Sequence, residues 1–227
     1  MDIDLYYIVK GSGKPLILLH GNGEEHTYFA HQIEYFSLHY RVFAVDTRGH
    51  GSSPRGTAPF TISQFAEDLH DFVDNHEISK AYVLGFSDGG NIALTFALRY
   101  PERVDKLILN GANLFPAGVK PQVQIPILLQ YYALSLFAGW MPKVKGYLDL
   151  LRLMVKEPNF RPEELCNLIV PTLVIAGEHD MIREEHTRLI NASIPGSHLC
   201  ILPGDHFLAS KEYARFNEVV ESFLWEC

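Results

Sequence analysis

Short runs of consecutive apolar residues recur along the chain, separated by stretches in which apolar positions return every three or four residues. Runs such as Leu16-Ile17-Leu18-Leu19 and Leu173-Val174-Ile175-Ala176 lack polar alternation. That pattern belongs to strands buried on both faces of a mainly parallel sheet. Strands are predicted at about 4–9, 15–20, 41–46, 80–86, 104–112, 171–178 and 197–203. Helices are predicted between them, at about 27–38, 61–76, 88–99, 183–192 and 211–225. Strand and helix in alternation imply an α/β fold, with about seven or eight strands in a central sheet covered on both sides.

One segment breaks the alternation. Residues 114–168 show helical patterning and several prolines, with helices predicted at Gln122–Gly139, Lys143–Lys156 and Pro162–Leu168. Rich in Leu, Tyr, Phe, Met and Trp, this insert reads as a lid over the C-terminal edge of the sheet, within one domain spanning residues 1–227. The plainer alternative is two ordinary packing helices. Gly11-Ser12-Gly13-Lys14 resembles a piece of a phosphate loop, but Pro15 stands where Ser or Thr is needed. A β-hairpin turn is the better expectation there.

Composition narrows the partners. With 227 residues, 47% hydrophobic and 20% charged, the chain has an ordinary globular balance. Its net charge of −8 and lack of a basic block argue against nucleic acid and anionic membranes. The most apolar stretch, Val123 to Trp140, is broken by Gln124, Pro126 and Gln130 and makes a poor membrane span. The start of the chain has no signal-peptide pattern. Cys166, Cys200 and Cys227 are odd in number and irregularly spaced, so neither a disulfide framework nor a zinc site is expected and a cytoplasmic location fits. Cys200, inside Leu199–Leu202, is expected in the core.

The candidate chemistry centres on Gly85-Phe86-Ser87-Asp88-Gly89-Gly90, between the strand signal Ala81–Leu84 and the helix signal Asn91–Tyr100. A serine flanked by glycines two residues away on either side, at a strand-to-helix turn, is a nucleophile elbow. The turn lifts the hydroxyl clear of the sheet and sets it at a helix N-terminus. Serine needs a base, and the base an orienting acid. Two turns after late strands offer them: Gly177-Glu178-His179-Asp180 and Gly204-Asp205-His206-Phe207. Asp180 is favoured over Glu178 and Asp205 because it lies furthest past its strand, and His206 is the expected base. His179 and His198 are expected to be structural or exposed. A metal site from Glu178, His179 and His206 has no supporting spacing, and no cofactor is expected. The second oxyanion donor is expected from His20-Gly21-Asn22-Gly23, with the Asn22 N–H pairing with that of Asp88.

These motifs, in this order, resemble the α/β-hydrolase superfamily over essentially the whole chain. The block Asp46-Thr47-Arg48-Gly49-His50-Gly51-Ser52-Ser53 is similar to the turn that braces the elbow in that family, so support rather than catalysis is expected of His50. A serine at the elbow, where dehalogenases and epoxide hydrolases have aspartate, implies ester, thioester or amide-type acyl transfer, and a small-molecule ester is the expected substrate. Gly85–Gly90 together with Asn110-Gly111-Ala112-Asn113 is similar to the valacyclovirase, or biphenyl-hydrolase-like, branch. That resemblance implies hydrolysis of α-amino-acid esters, with Asp88 holding the ammonium; the alternative for Asp88 is a helix-start acid bonding nearby N–H groups. Glu24 and Glu25 would add negative potential at the mouth. Perhydrolysis, C–C bond hydrolysis, or a slow small-ligand receptor of the same fold are the competing readings.

Overall fold

The computed structural model describes residues 2–136 and 144–226. The ends of the two long helices predicted in the insert, and Cys227, lie partly or wholly outside these residues. Seven strands form one sheet: β1 (Tyr7–Lys10), β2 (Pro15–Leu19), β3 (Arg41–Val45), β4 (Ala81–Phe86), β5 (Val104–Asn110), β6 (Thr172–His179) and β7 (His198–Asp205). Their order across the sheet is β1-β3-β2-β4-β5-β6-β7, and only the β1–β3 pair is antiparallel. The helices are α1 (Ala30–Phe36), α2 (Ile62–Asn75), α3 (Asp88–Arg99), α4 (Pro121–Ser135), α5 (Lys145–Lys156), α6 (Glu184–Ser193), α7 (Leu208–Lys211) and α8 (Tyr213–Trp225).

The uninterrupted apolar runs are explained by cover on both faces. Ile17, Leu19, Val83, Leu107, Leu109 and Val174 point into one core layer, against residues of α2, α3 and α6. Their alternates Leu16, Leu18, Leu84, Ile108, Leu173 and Ile175 enter the other, against α1 and α8.

The expected hairpin at Gly11–Lys14 is not formed. β3 lies between β1 and β2, so this turn carries the chain across a neighbouring strand rather than joining a paired one. Gly11, with φ of 81°, passes so close to the Ser37 and Tyr40 carbonyls that no Cβ fits. Cys200 is half-buried rather than fully enclosed, on the edge strand β7. The helix expected at 211–225 is α8, and the short α7 precedes it with Glu212 between them.

The insert contains α4, α5 and a 3-10 turn at Pro162–Asn167, preceded by a 3-10 turn at Pro116–Gly118. Three side chains tie α5 and its end to the body. Asn22 Nδ2 donates to the Leu150 carbonyl at 2.9 Å, Arg55 Nε meets Asp149 Oδ2 at 3.1 Å, and Glu157 Oε2 accepts from the Ile62 N–H at 2.6 Å. At its base, Lys120 N donates to the Met181 carbonyl and Arg183 N to the Gly118 carbonyl.

The block after β3 is a brace. Asp46 is fully buried and accepts from the N–H groups of His26 and Ser52 at 2.7 and 2.8 Å. Arg48, also fully buried, forms a two-point contact with Asp68 of α2 at 2.6 and 2.6 Å and reaches Asp2 at 2.6 Å. Removing the guanidinium would leave the buried Asp68 carboxylate, among the described residues, with no positive partner and only the Gln64 side-chain amide donating to it, at 3.0 Å. Arg48→Met is therefore expected to cost about 3–5 kcal/mol, read as a lowered midpoint in urea unfolding.

Candidate active site

Parallel strands deliver their following loops to one edge, and four of these loops meet there. β4 ends in Ser87, β2 in the His20–Gly23 loop, β6 in Asp180 and β7 in the turn holding His206. Ser87 adopts φ 52° and ψ −120°, a conformation rare for a residue with a Cβ. Its N–H donates to the Asn110 carbonyl on β5 at 2.8 Å. The flanking glycines make this turn possible by close approach: a Cβ on Gly85 would run into the Gly89 carbonyl, and one on Gly89 into the carbonyls of Leu19 and His20.

The three distant side chains are in contact. His206 Nε2 lies 3.0 Å from Ser87 Oγ, and Nδ1 lies 2.7 Å from Asp180 Oδ1. Asp180 and His206 are buried, at 2% and 3% exposure, which shields their pairing from water. Asp180 Oδ1 also accepts from the Ile182 N–H at 2.8 Å, which fixes the carboxylate. With Nδ1–H directed at that carboxylate, Nε2 is left as the acceptor facing the serine. The competing residues are elsewhere: Glu178, His179 and His198 are exposed, and Asp205 binds Lys211 and the Phe207 N–H. His50 is buried in the brace, where burial lowers its pKa. Among the described residues no cluster of three or more His, Cys, Asp or Glu could hold a metal ion.

His20 sets the loop after β2. Burial lowers its pKa to about 4, so the ring is neutral. Nε2 accepts from the Thr47 N–H at 3.0 Å, which leaves Nδ1–H to donate to the Gly21 carbonyl at 2.7 Å. In a planar trans peptide the Asn22 N–H points opposite to that carbonyl, so a neutral histidine fixes its direction. His186, whose pKa burial also lowers to about 4, plays a similar part under the insert by accepting from the Leu114 N–H at 2.8 Å.

Asn22, Ser87, Asp88, Met154, Glu157 and Met181 are among the residues around a small cavity of about 30 Å³. Asp88 is 8% exposed; Oδ1 accepts from Asn91 Nδ2 at 3.1 Å, while Oδ2 is buried with no hydrogen-bond partner. Burial raises its pKa to about 6, against the lowering effect of the Asn91 and Asn22 side chains. Glu24 is half-buried, outside the wall of this cavity, and burial raises its pKa to about 7. Glu25 is exposed and accepts from Thr27.

The family model for the alpha/beta hydrolase fold matches residues 14–153, more than half of the chain. The chain belongs to the alpha/beta hydrolase fold family. Over 98% of its length this hydrolase is 29% identical to serine hydrolase BPHL of Homo sapiens, covering 83% of that protein. It is 30% identical to the uncharacterized carboxylesterase nap of Bacillus subtilis, over 92% of the chain and 79% of the relative. Among solved structures, a hydrolase from Pseudomonas aeruginosa superposes with a TM-score of 0.81 at 26% identity, covering 99% of this chain and 95% of the other.

Sequence reasoning missed Met154, Glu157 and Met181 in the cavity wall, and His20 and His186 as neutral struts. Met154 and Glu157 reach the cavity only through the folding back of the insert, which no local pattern reports. Gly111 has a local signal, since an Asn-Gly pair after a strand favours positive φ. Its φ is 62°, and a Cβ there would lie 2.7 Å from His206 Cε1. Gly111→Ala is expected to push the ring away, opening the Ser87 Oγ–His206 Nε2 distance beyond about 3.5 Å; a crystal structure of the variant measures it directly.

Proposed function

We propose that this hydrolase cleaves small carboxylic esters through an acyl-enzyme, using Ser87 as nucleophile, His206 as base and acid, and Asp180 as the orienting carboxylate. The observation that carries the reading is the pair of His206 contacts, 3.0 Å to Ser87 Oγ and 2.7 Å to Asp180 Oδ1. Both fall within the reach that proton transfer requires. In this scheme Ser87 Oγ attacks the acyl carbon while Nε2 takes its proton. The imidazolium, stabilised by Asp180, then gives that proton to the departing alkoxide. Water attacks the acyl-enzyme by the same route and returns the free serine.

The tetrahedral oxyanion is assigned to the backbone N–H groups of Asn22 and Asp88. Two features support this: His20 directs the Asn22 peptide, and Asp88 opens helix α3, where first-turn N–H groups have no partner within the helix. Segment 114–168 is assigned as the lid, because Met154 and Glu157 from it wall the cavity over Ser87.

Asp88 borders that cavity, and its Oδ2 is buried without a hydrogen-bond partner, which favours α-amino-acid esters within the ester class. An ammonium about 4 Å from a carboxylate gains roughly 4 kcal/mol at an effective dielectric near 20, before desolvation is subtracted. The likeness to serine hydrolase BPHL adds a relative with the same general chemistry in its name.

Ser87→Ala is expected to lower ester turnover by about 10⁴-fold or more and to abolish labelling by a fluorophosphonate probe. Near-normal hydrolysis by that variant would defeat the assignment. Asp88 gives a pH signature. Below its pKa of about 6 the carboxyl is neutral and offers an ammonium nothing; above it, the carboxylate attracts. The kcat/KM ratio for alanine benzyl ester over benzyl propanoate is therefore expected to rise with pH through about 6. Taking the ratio cancels the titration of the base shared by both substrates. The ratio should fall again as the substrate amine deprotonates, near ~8.

A further inference from the structure

Glu157 follows the last residue of α5 and is half-buried. It borders two spaces at once: the small cavity over Ser87, with Asp88, and an open pocket of about 580 Å³ outside it, beside Thr61, Arg99, Tyr131, Arg152 and Lys156. Its Oε2 is anchored by the Ile62 N–H at the start of α2, at 2.6 Å. Among the described residues no Lys, Arg or His forms an ion pair with either Glu157 or Asp88. Arg152 attracts Glu157 only at longer range, and Glu157 in turn disfavours the charged form of Asp88. Asp88 and Glu157 thus both border one cavity without an ion-pair partner, and Asp88 has one oxygen, Oδ2, buried and unpaired. Such a pair is poorly solvated when empty and is best satisfied by a positive group.

We infer that Glu157 is the second carboxylate of a cation-binding subsite, seated at the threshold between the cavity over Ser87 and the open pocket, where it selects substrates with an ammonium beside the scissile carbonyl. This rests on the α-amino-acid ester reading above. Asp88 holds the ammonium from the elbow side and Glu157 from the lid side, so recognition of the amine is coupled to closure of α5 over the serine. The open pocket takes the remainder of the substrate. Glu157 is a specificity-determining residue with no part in proton transfer.

The test measures kcat/KM for alanine benzyl ester and for benzyl propanoate in the wild type, Asp88→Asn, Glu157→Gln and Glu157→Asp. Glutamine keeps an oxygen to accept the Ile62 N–H, and melting temperatures check that each variant is folded. Glu157→Gln is expected to lower the amine-to-deaminated ratio roughly 5–10-fold, mainly through KM, with partial recovery in Glu157→Asp. The Ki of propylammonium, as competitor of benzyl propanoate hydrolysis, should rise in Glu157→Gln. A ratio that survives Glu157→Gln but collapses in Asp88→Asn overturns the role of Glu157 alone. Equal losses on both esters would reduce Glu157 to a tie between α5 and α2, and also overturn it. A wild-type ratio near one removes the α-amino-acid ester reading, and this inference with it.

Discussion

A serine does not rest at φ 52° and ψ −120° unless the chain around it leaves no easier choice. The turn between β4 and α3 supplies that constraint from three sides. Gly85 and Gly89 bring the two arms of the turn into contact, Gly89 meets the end of β2, and the Asn110 carbonyl of β5 holds the Ser87 N–H. The strained residue is therefore anchored by both strands that flank β4. Every other feature of the site takes its position from this point, since the same sheet edge carries the loops of Asn22, Asp180 and His206.

The supporting residues divide by charge. Where a buried group must stay charged, it has close partners: Arg48 with Asp68 and Asp2, and Asp46 with the N–H groups of His26 and Ser52. Where a buried imidazole acts as a strut it is kept neutral, as with His20 and His186, because a protonated ring could not accept the N–H bonds of Thr47 and Leu114. His206 differs in facing a buried carboxylate, with Asp180 Oδ1 2.7 Å from its Nδ1. The loop carrying Asp180 is also bound to the base of the insert, through Lys120–Met181 and Gly118–Arg183. The insert is thereby tied to the loop whose carboxylate faces His206.

Local signals were readable in the chain, and tertiary ones were not. The strands at Leu16–Leu19 and Leu173–Ala176 were legible because burial on both faces removes polar alternation. The elbow was legible because its glycine spacing is a steric demand of a few consecutive residues. Asp180 and His206 could be singled out because a parallel sheet sends both of their loops to the edge that carries Ser87. The β1-β3-β2 order was misjudged at Gly11–Lys14, since a short Gly-rich link says nothing of which strand will slip between its neighbours. Glu157 gave no warning at all. Its position beside Asp88 depends on α5 folding back across the sheet edge and on one hydrogen bond to the first residue of α2.

The size of the cavity bears on how such a site would be used. The space over Ser87, about 30 Å³, is much smaller than the one it adjoins. The space immediately outside, beyond Glu157, is about 580 Å³. Two members of its wall, Met154 and Met181, have flexible unbranched side chains. One stands on α5 and the other beside Asp180, on the two segments whose backbones are tied to the rest of the site. The Ser87 backbone is held by the Asn110 carbonyl of β5 and the Asn91 N–H of α3, neither of which involves those methionines. The elbow is thus held by the sheet and α3, while the wall of the cavity beside it draws on the insert and on the loop of Asp180.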